Sequence, residues 1–150
     1  MRTLLVTFVL FALGAAAAGA AGSTASVLAS TSKHGAPVAL TFQLTYPMPC
    51  GNPGQWLTVQ LPSSMKLPPS IAPQTVHVNG AAAKTVTLHG STVKISIAKK
   101  QWLTCDVRGM GKLSVVIAVG AGLANPRSPG VYGFPIAIGR VLGIPKLQVT

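Results

Sequence analysis

Short runs in which apolar and polar side chains alternate strictly recur along this chain, separated by clusters of Gly and Pro. From Val38, the residues Leu40, Phe42, Leu44 and Tyr46 fall on one face, and Thr41, Gln43 and Thr45 on the other. A period of two with β-branched and aromatic residues builds a half-buried strand, because successive side chains of an extended backbone point to opposite sides. Leu57, Val59 and Leu61 repeat the pattern, as do Val76 and Val78, Val86 and Leu88, and Val93, Ile95 and Ile97. Leu113 to Val119 carries a continuous apolar patch. Tyr132, Phe134, Ile136 and Ile138 share one face of a late strand, and Pro135 within it implies an edge position or a bulge. The stretch from Val141 to Val149 can supply a last short strand.

The intervening segments are punctuation. PMPCGNPGQ (47–55), PSSMKLPPSIAP (62–73) and GAGLANPRSPGV (120–131) are dense in Pro and Gly and read as loops. Asn79-Gly80 is a tight-hairpin dipeptide, and His89-Gly90 marks another turn. Seven or eight short strands without a helix predict an all-β domain over residues 38–150. A β-sandwich fits best, with a small barrel as its rival, because long Pro-rich connections suit crossings between two sheets.

The N-terminus reads as a secretory signal peptide over residues 1–20. Arg2 is the positive start, Leu4 to Leu13 the apolar centre, and Ala18-Gly19-Ala20 the small-residue cleavage pattern. A retained membrane anchor is the alternative, although an apolar run of about ten residues falls short of the ~20 a span needs. Residues 21–37, small and polar, read as a flexible leader. These features predict a chain that is secreted, either extracellular or at the cell surface, with no membrane span after cleavage. No lipid-attachment cysteine or wall-sorting motif follows the signal in this sequence.

Charge narrows the function. Asp106 is the one acidic side chain in 150 residues, against twelve Lys and Arg. Paired-carboxylate catalysis and hard-metal sites both need more acids than that. No G-x-S-x-G elbow is present for a serine hydrolase. The expectation is a protein that is not an enzyme and takes no cofactor. Scarce acids carry a second expectation. Acid denaturation is mostly the protonation of carboxylates that the native state holds ionised, so this domain has little stability to lose near pH 2.

Cys50 and Cys105 make an even pair in an exported chain, and one disulfide is expected. It would close a loop of about 55 residues, worth ~4 kcal/mol in the chain-entropy model. Two free thiols or a metal site are the alternatives, and no C-x-x-C or H-x-x-x-H spacing supports a metal. His77 and His89 have the same parity on neighbouring strands. They could meet and hold a transition metal weakly, or stand solvated on a half-exposed sheet. Trp56 and Trp102 each adjoin a cysteine-bearing loop. They either pack over the disulfide or stay exposed to stack on a sugar ring or insert in a partner.

Lys84, Lys94, Lys99, Lys100, Arg108 and Lys112 are candidate anion-binding residues, with Arg127, Arg140 and Lys146 extending the positive field. They form no run and no single basic helix, which argues against one nucleic-acid groove. An anionic wall polymer, an acidic glycan, lipid head groups or another secreted protein are the partners such a surface suits. The rival account is a charge balance set by the environment.

Four blocks in order, VQLPSSMKLPPSI (59–71), VHVNG (76–80), GSTVKISI (90–97) and GLANPRSPGVY (122–132), carry a family resemblance. The stretch from Leu57 to Ile138 resembles an immunoglobulin-like domain of bacterial secreted and cell-surface proteins, among them surface-layer-associated ones. The resemblance implies an immunoglobulin-like β-sandwich with a structural or binding role and no catalytic motif. The two cysteines, the PMPCGNPGQ and QWLTCDVRG insertions and the loss of acids depart from its pattern. Within these blocks, Gly130 is expected at a backbone angle other residues resist, and Tyr132 to hydrogen-bond its hydroxyl to the preceding loop.

Overall fold

The computed structural model describes residues 23–49, 56–97, 110–139 and 141–150. The signal peptide expected over 1–20 lies outside them, as do Cys50, Cys105 and Asp106. Among the described residues the chain is all-β, with every strand pair antiparallel. The strands are β1 (Thr24–Ala29), β2 (Leu40–Pro49), β3 (Trp56–Gln60), β4 (Val76–Val78), β5 (Ala81–Ala82), β6 (Thr85–His89), β7 (Thr92–Ser96), β8 (Met110–Ile117), β9 (Gly130–Gly133), β10 (Ile136–Ile138), β11 (Val141–Gly143) and β12 (Lys146–Val149). The first sheet has the order β1-β2-β8-β4-β5, the second β11-β10-β3-β7-β6, and β12 pairs with β9 in a separate ribbon.

Alternation decides what faces what. Leu40, Phe42, Leu44 and Tyr46 of β2 meet Leu113, Val115 and Ile117 of β8 on the inner side of the first sheet, all buried. Leu57, Val59, Val93, Ile95, Ile136 and Ile138 are the buried inner residues of the second sheet. The two sets share one core, so the sheets form a β-sandwich. Phe42 and Phe134 meet in its middle with ring centroids 5.9 Å apart and planes tilted by 59°.

Two elements differ from expectation. The stretch 21–37, expected as a flexible leader, contains β1, paired residue for residue with β2 from Thr24↔Thr45 to Ala29↔Leu40. Its inward residues Ala25, Val27 and Ala29 are small because the space is small. A Cβ on Gly143 of β11 would collide with the Ala25 methyl, so the two sheet edges touch there. The late strand is divided between β9 and β10, which belong to different sheets, with Phe134 and Pro135 as the crossing. Pro135 has no N–H to give, and its carbonyl accepts from the Gln60 N–H at 2.7 Å. Gly130, as expected, has a backbone angle that other side chains rarely adopt, φ 159°.

Turn chemistry follows the sequence closely. Asn79 (φ 48°) and Gly80 (φ 84°) form the two-residue left-handed turn joining β4 and β5. Asn79 also brackets Ser114 of β8. Its N–H donates to the Ser114 carbonyl at 2.8 Å, and its Oδ1 accepts from the Ser114 N–H at 2.8 Å. The Tyr132 hydroxyl donates to the Ser128 carbonyl at 2.8 Å, closing the corner before β9. Asn125 is buried, and its Nδ2 donates to the carbonyls of Thr31 (2.8 Å) and Lys33 (3.0 Å). That amide fastens the β1–β2 connection to the segment before β9, a long-range tie that turn statistics alone do not reveal.

Candidate binding face

The outward face of the second sheet holds the strongest cluster of the expected binding residues. Leu57 and Val59 point inward, so Trp56, Thr58 and Gln60 of β3 point outward. On β7 the outward set is Thr92, Lys94 and Ser96, and on β6 it is Thr85, Thr87 and His89. The register puts Thr58 between Lys94 and Ala137 and sets Trp56 opposite Ser96. Lys94 is then a diagonal neighbour of Trp56, within reach of a long side chain. Its Nζ lies 4.4 Å from the centre of the indole ring. A cation over an exposed aromatic face contributes ~0.5–1 kcal/mol.

Trp56 is 40% exposed, so neither sheet buries it. Gln60 is fixed further along the same strand. Its Nε2 donates to the Ser91 hydroxyl, and its Oε1 accepts from the Thr92 hydroxyl at 2.6 Å. Around Trp56 and Lys94 the face is a low field of hydroxyls, with His89 at the end of β6 and exposed Leu142 on β11 further off. No acidic side chain is present among the described residues, so Lys94 and the other described bases have no side-chain carboxylate partner among them.

The other expected residues are dispersed. Lys84 is exposed on the link from β5 to β6, and Lys112 projects from the outer face of the first sheet, opposite Thr45. Lys99, Lys100, Arg108 and Trp102 lie outside the described residues, as does the proposed Cys50–Cys105 pair. Of the two alternatives for His77 and His89, the meeting does not occur. His77 is on β4 of the first sheet and His89 on β6 of the second, because the chain changes sheets between them. Among the described residues no three of His, Cys, Asp and Glu come together.

One grouping was hidden by sequence distance. Ala124 bridges to both Pro37 and Lys66, and Asn125 holds the Lys33 carbonyl. The backbones of Lys33, Lys66 and Arg127 thus converge on one short segment, with all three side chains exposed. Only long-range pairing could have revealed it.

Comparison with solved structures adds the fold. The chain is similar to BslA, described as a bacterial hydrophobin. The match covers 85% of this chain and 96% of that one, at 15% sequence identity and a TM-score of 0.55. No family model matches the chain, and no curated protein matches it in sequence. Among the described residues no helix is long and apolar enough to cross a membrane.

Scarce carboxylates and one buried phenol are expected to give the fold a one-sided pH profile. Burial pushes the Tyr46 phenol above its usual range. The unfolded chain ionises that phenol near pH 10, where the folded chain still holds it neutral. Between those two values the unfolded state has lost a proton that the folded state keeps, so stability falls as pH rises. Thermal melts from about pH 2 to 11 are expected to be nearly level in acid and to decline above about pH 10. The decline should shrink in Tyr46→Phe. A drop of tens of degrees in acid would contradict the profile.

Proposed function

We propose that this chain is a non-catalytic structural or adhesive protein of the bacterial cell surface, exported by its N-terminal segment and built as an immunoglobulin-like β-sandwich. The likeness to the bacterial hydrophobin BslA, nearly end to end on both chains, is the observation that supports the surface structural role. The described part of the fold supports it. Its stability rests on apolar packing and main-chain ties such as those at Asn79 and Asn125, none of which needs a carboxylate. Such a domain suits service outside the cell, where pH varies. The test is surface labelling of intact bacteria that express the full chain with a C-terminal tag. Access of external protease to the tag is expected, and retention of all the protein inside the cell would overturn the reading.

A second reading, a binding module for an anionic ligand, is favoured by one observation. Lys94 stands on an outward face beside an exposed Trp56, with no acidic side chain among the described residues to occupy it.

A further inference from the structure

We propose that the outer face of the second sheet binds an acidic polysaccharide, with Trp56 stacking on a sugar ring and Lys94 pairing with a carboxylate or sulfate on that ring or its neighbour. The inference rests on the anionic-ligand reading and names its site and ligand class.

Three observations converge on it. The first is the ring. Trp56 is a large amphipathic side chain left 40% exposed in a molecule with ample apolar interior. Its described flanking positions across the sheet are small. Ser96 lies opposite on β7. On the other flank β10 ends at Ile138, opposite Leu57, and the chain turns through Gly139, which has no side chain. An indole left uncovered in this way offers an apolar plane to the C–H face of a pyranose, with its N–H free to lie at the wet edge.

The second is the cation. Lys94 rests its ammonium on the ring. Its stem is flexible and its ammonium is a mobile point charge. A uronate or sulfated sugar arriving over Trp56 can therefore draw the ammonium from the ring to its own anion while the sugar takes the indole plane. Lys94 then holds the position of the ligand's charge and does not block it.

The third is the polar floor. Thr58, Gln60, Thr92 and Ser96 flank the pair on β3 and β7, and Gln60 is already held by Ser91 and Thr92. Hydroxyls and an oriented amide on a rigid sheet match a ligand that is itself a chain of hydroxyls. A simple polyanion such as polyphosphate would use the lysine and leave the indole idle. The ring selects sugar, and the strongly basic chain selects an acidic one.

The experiment is titration calorimetry of the full secreted chain with polygalacturonate, with dextran as the neutral control and polyphosphate as the sugar-free polyanion. Binding to polygalacturonate is expected, weakened by added salt, with much weaker binding to either control. Trp56→Ala should reduce affinity about tenfold or more, and Trp56→Phe should recover part of it. Lys94→Gln should reduce affinity and flatten the salt dependence, and Lys94→Arg should restore both. Thermal melts of each variant confirm that the fold is intact. If polygalacturonate and polyphosphate bind equally and Trp56→Ala changes neither, the sugar site is wrong while the anionic-ligand reading stands. If no polyanion binds at any salt, both are overturned. Equal binding of dextran would show a neutral-sugar site and overturn the acidic assignment.

Discussion

Gly111→Ala is expected to destabilise the domain by at least about 3 kcal/mol, the upper end of ordinary overpacking. Gly111 of β8 is the register partner of Tyr46 on β2, and the phenol ring lies directly across it. A Cβ built on Gly111 would fall within that ring, 2.6 Å from Cδ2 and nearer still to two other ring atoms. Tyr46 is 1% exposed, so the ring has no free space to move into. The added methyl is fixed to the backbone of a central strand and cannot rotate aside. The glycine is thus the seat of an aromatic side chain, and its absence of a side chain is what lets the ring lie flat on the sheet. Denaturant unfolding of Gly111→Ala should show a lower midpoint with little change in slope. The double variant Tyr46→Leu with Gly111→Ala should be more stable than the sum of the two single changes predicts, since the clash has gone. A wild-type midpoint for Gly111→Ala would refute this packing.

Phe134→Ala is expected to cost about 3–5 kcal/mol, the usual range for removing a fully buried ring. Few single domains exceed 5–15 kcal/mol in all, so the variant should be marginal at ordinary temperature. Phe134 is fully buried against Phe42 and sits where the chain passes from the β9–β12 ribbon into the second sheet. Its N–H donates to the Pro145 carbonyl at 2.9 Å, which fixes the backbone that carries the ring. Relaxation around the missing ring is therefore limited, and the cavity term should stay large. Phe134→Leu keeps most of the volume and should cost much less. The melting temperatures of the two variants, compared with the parent, decide the point.

The elements most legible in the sequence were those whose inner residues are large. β2, β3 and β7 follow from alternation because Leu, Phe, Tyr, Val and Ile all take the inner side. β1 was missed for the converse reason. Its inner face is Ala25, Val27 and Ala29, and alternation of Ala with Ser and Thr looks like a polar linker until Gly143 is seen across from it. The Pro135 break was visible, but not that it divides strands of two sheets. Hydrophobic parity tells which face a residue occupies, not which sheet. The same blindness misplaced His77 and His89, which share a parity and nothing else.

The candidate face was half legible. Parity with Leu57 and Val59 already turns Trp56 outward. Its meeting with Lys94 depends on the β3–β7 register, which the chain sets through core packing far from both residues. Lys84 and Lys112 looked equivalent to Lys94 in the sequence, and the sheets carry them to other surfaces.

The absence of acidic side chains among the described residues has a consequence for how copies behave towards one another. A chain in which positive charge outweighs negative so heavily is a small polycation, and neighbouring molecules repel at long range. In dilute salt such molecules keep apart in solution. Once ions or a polyanion neutralise the field, the barrier to close approach disappears, and copies can be packed at high density. The same bareness of carboxylates that spares the fold in acid leaves its crowding under the control of whatever anions surround it.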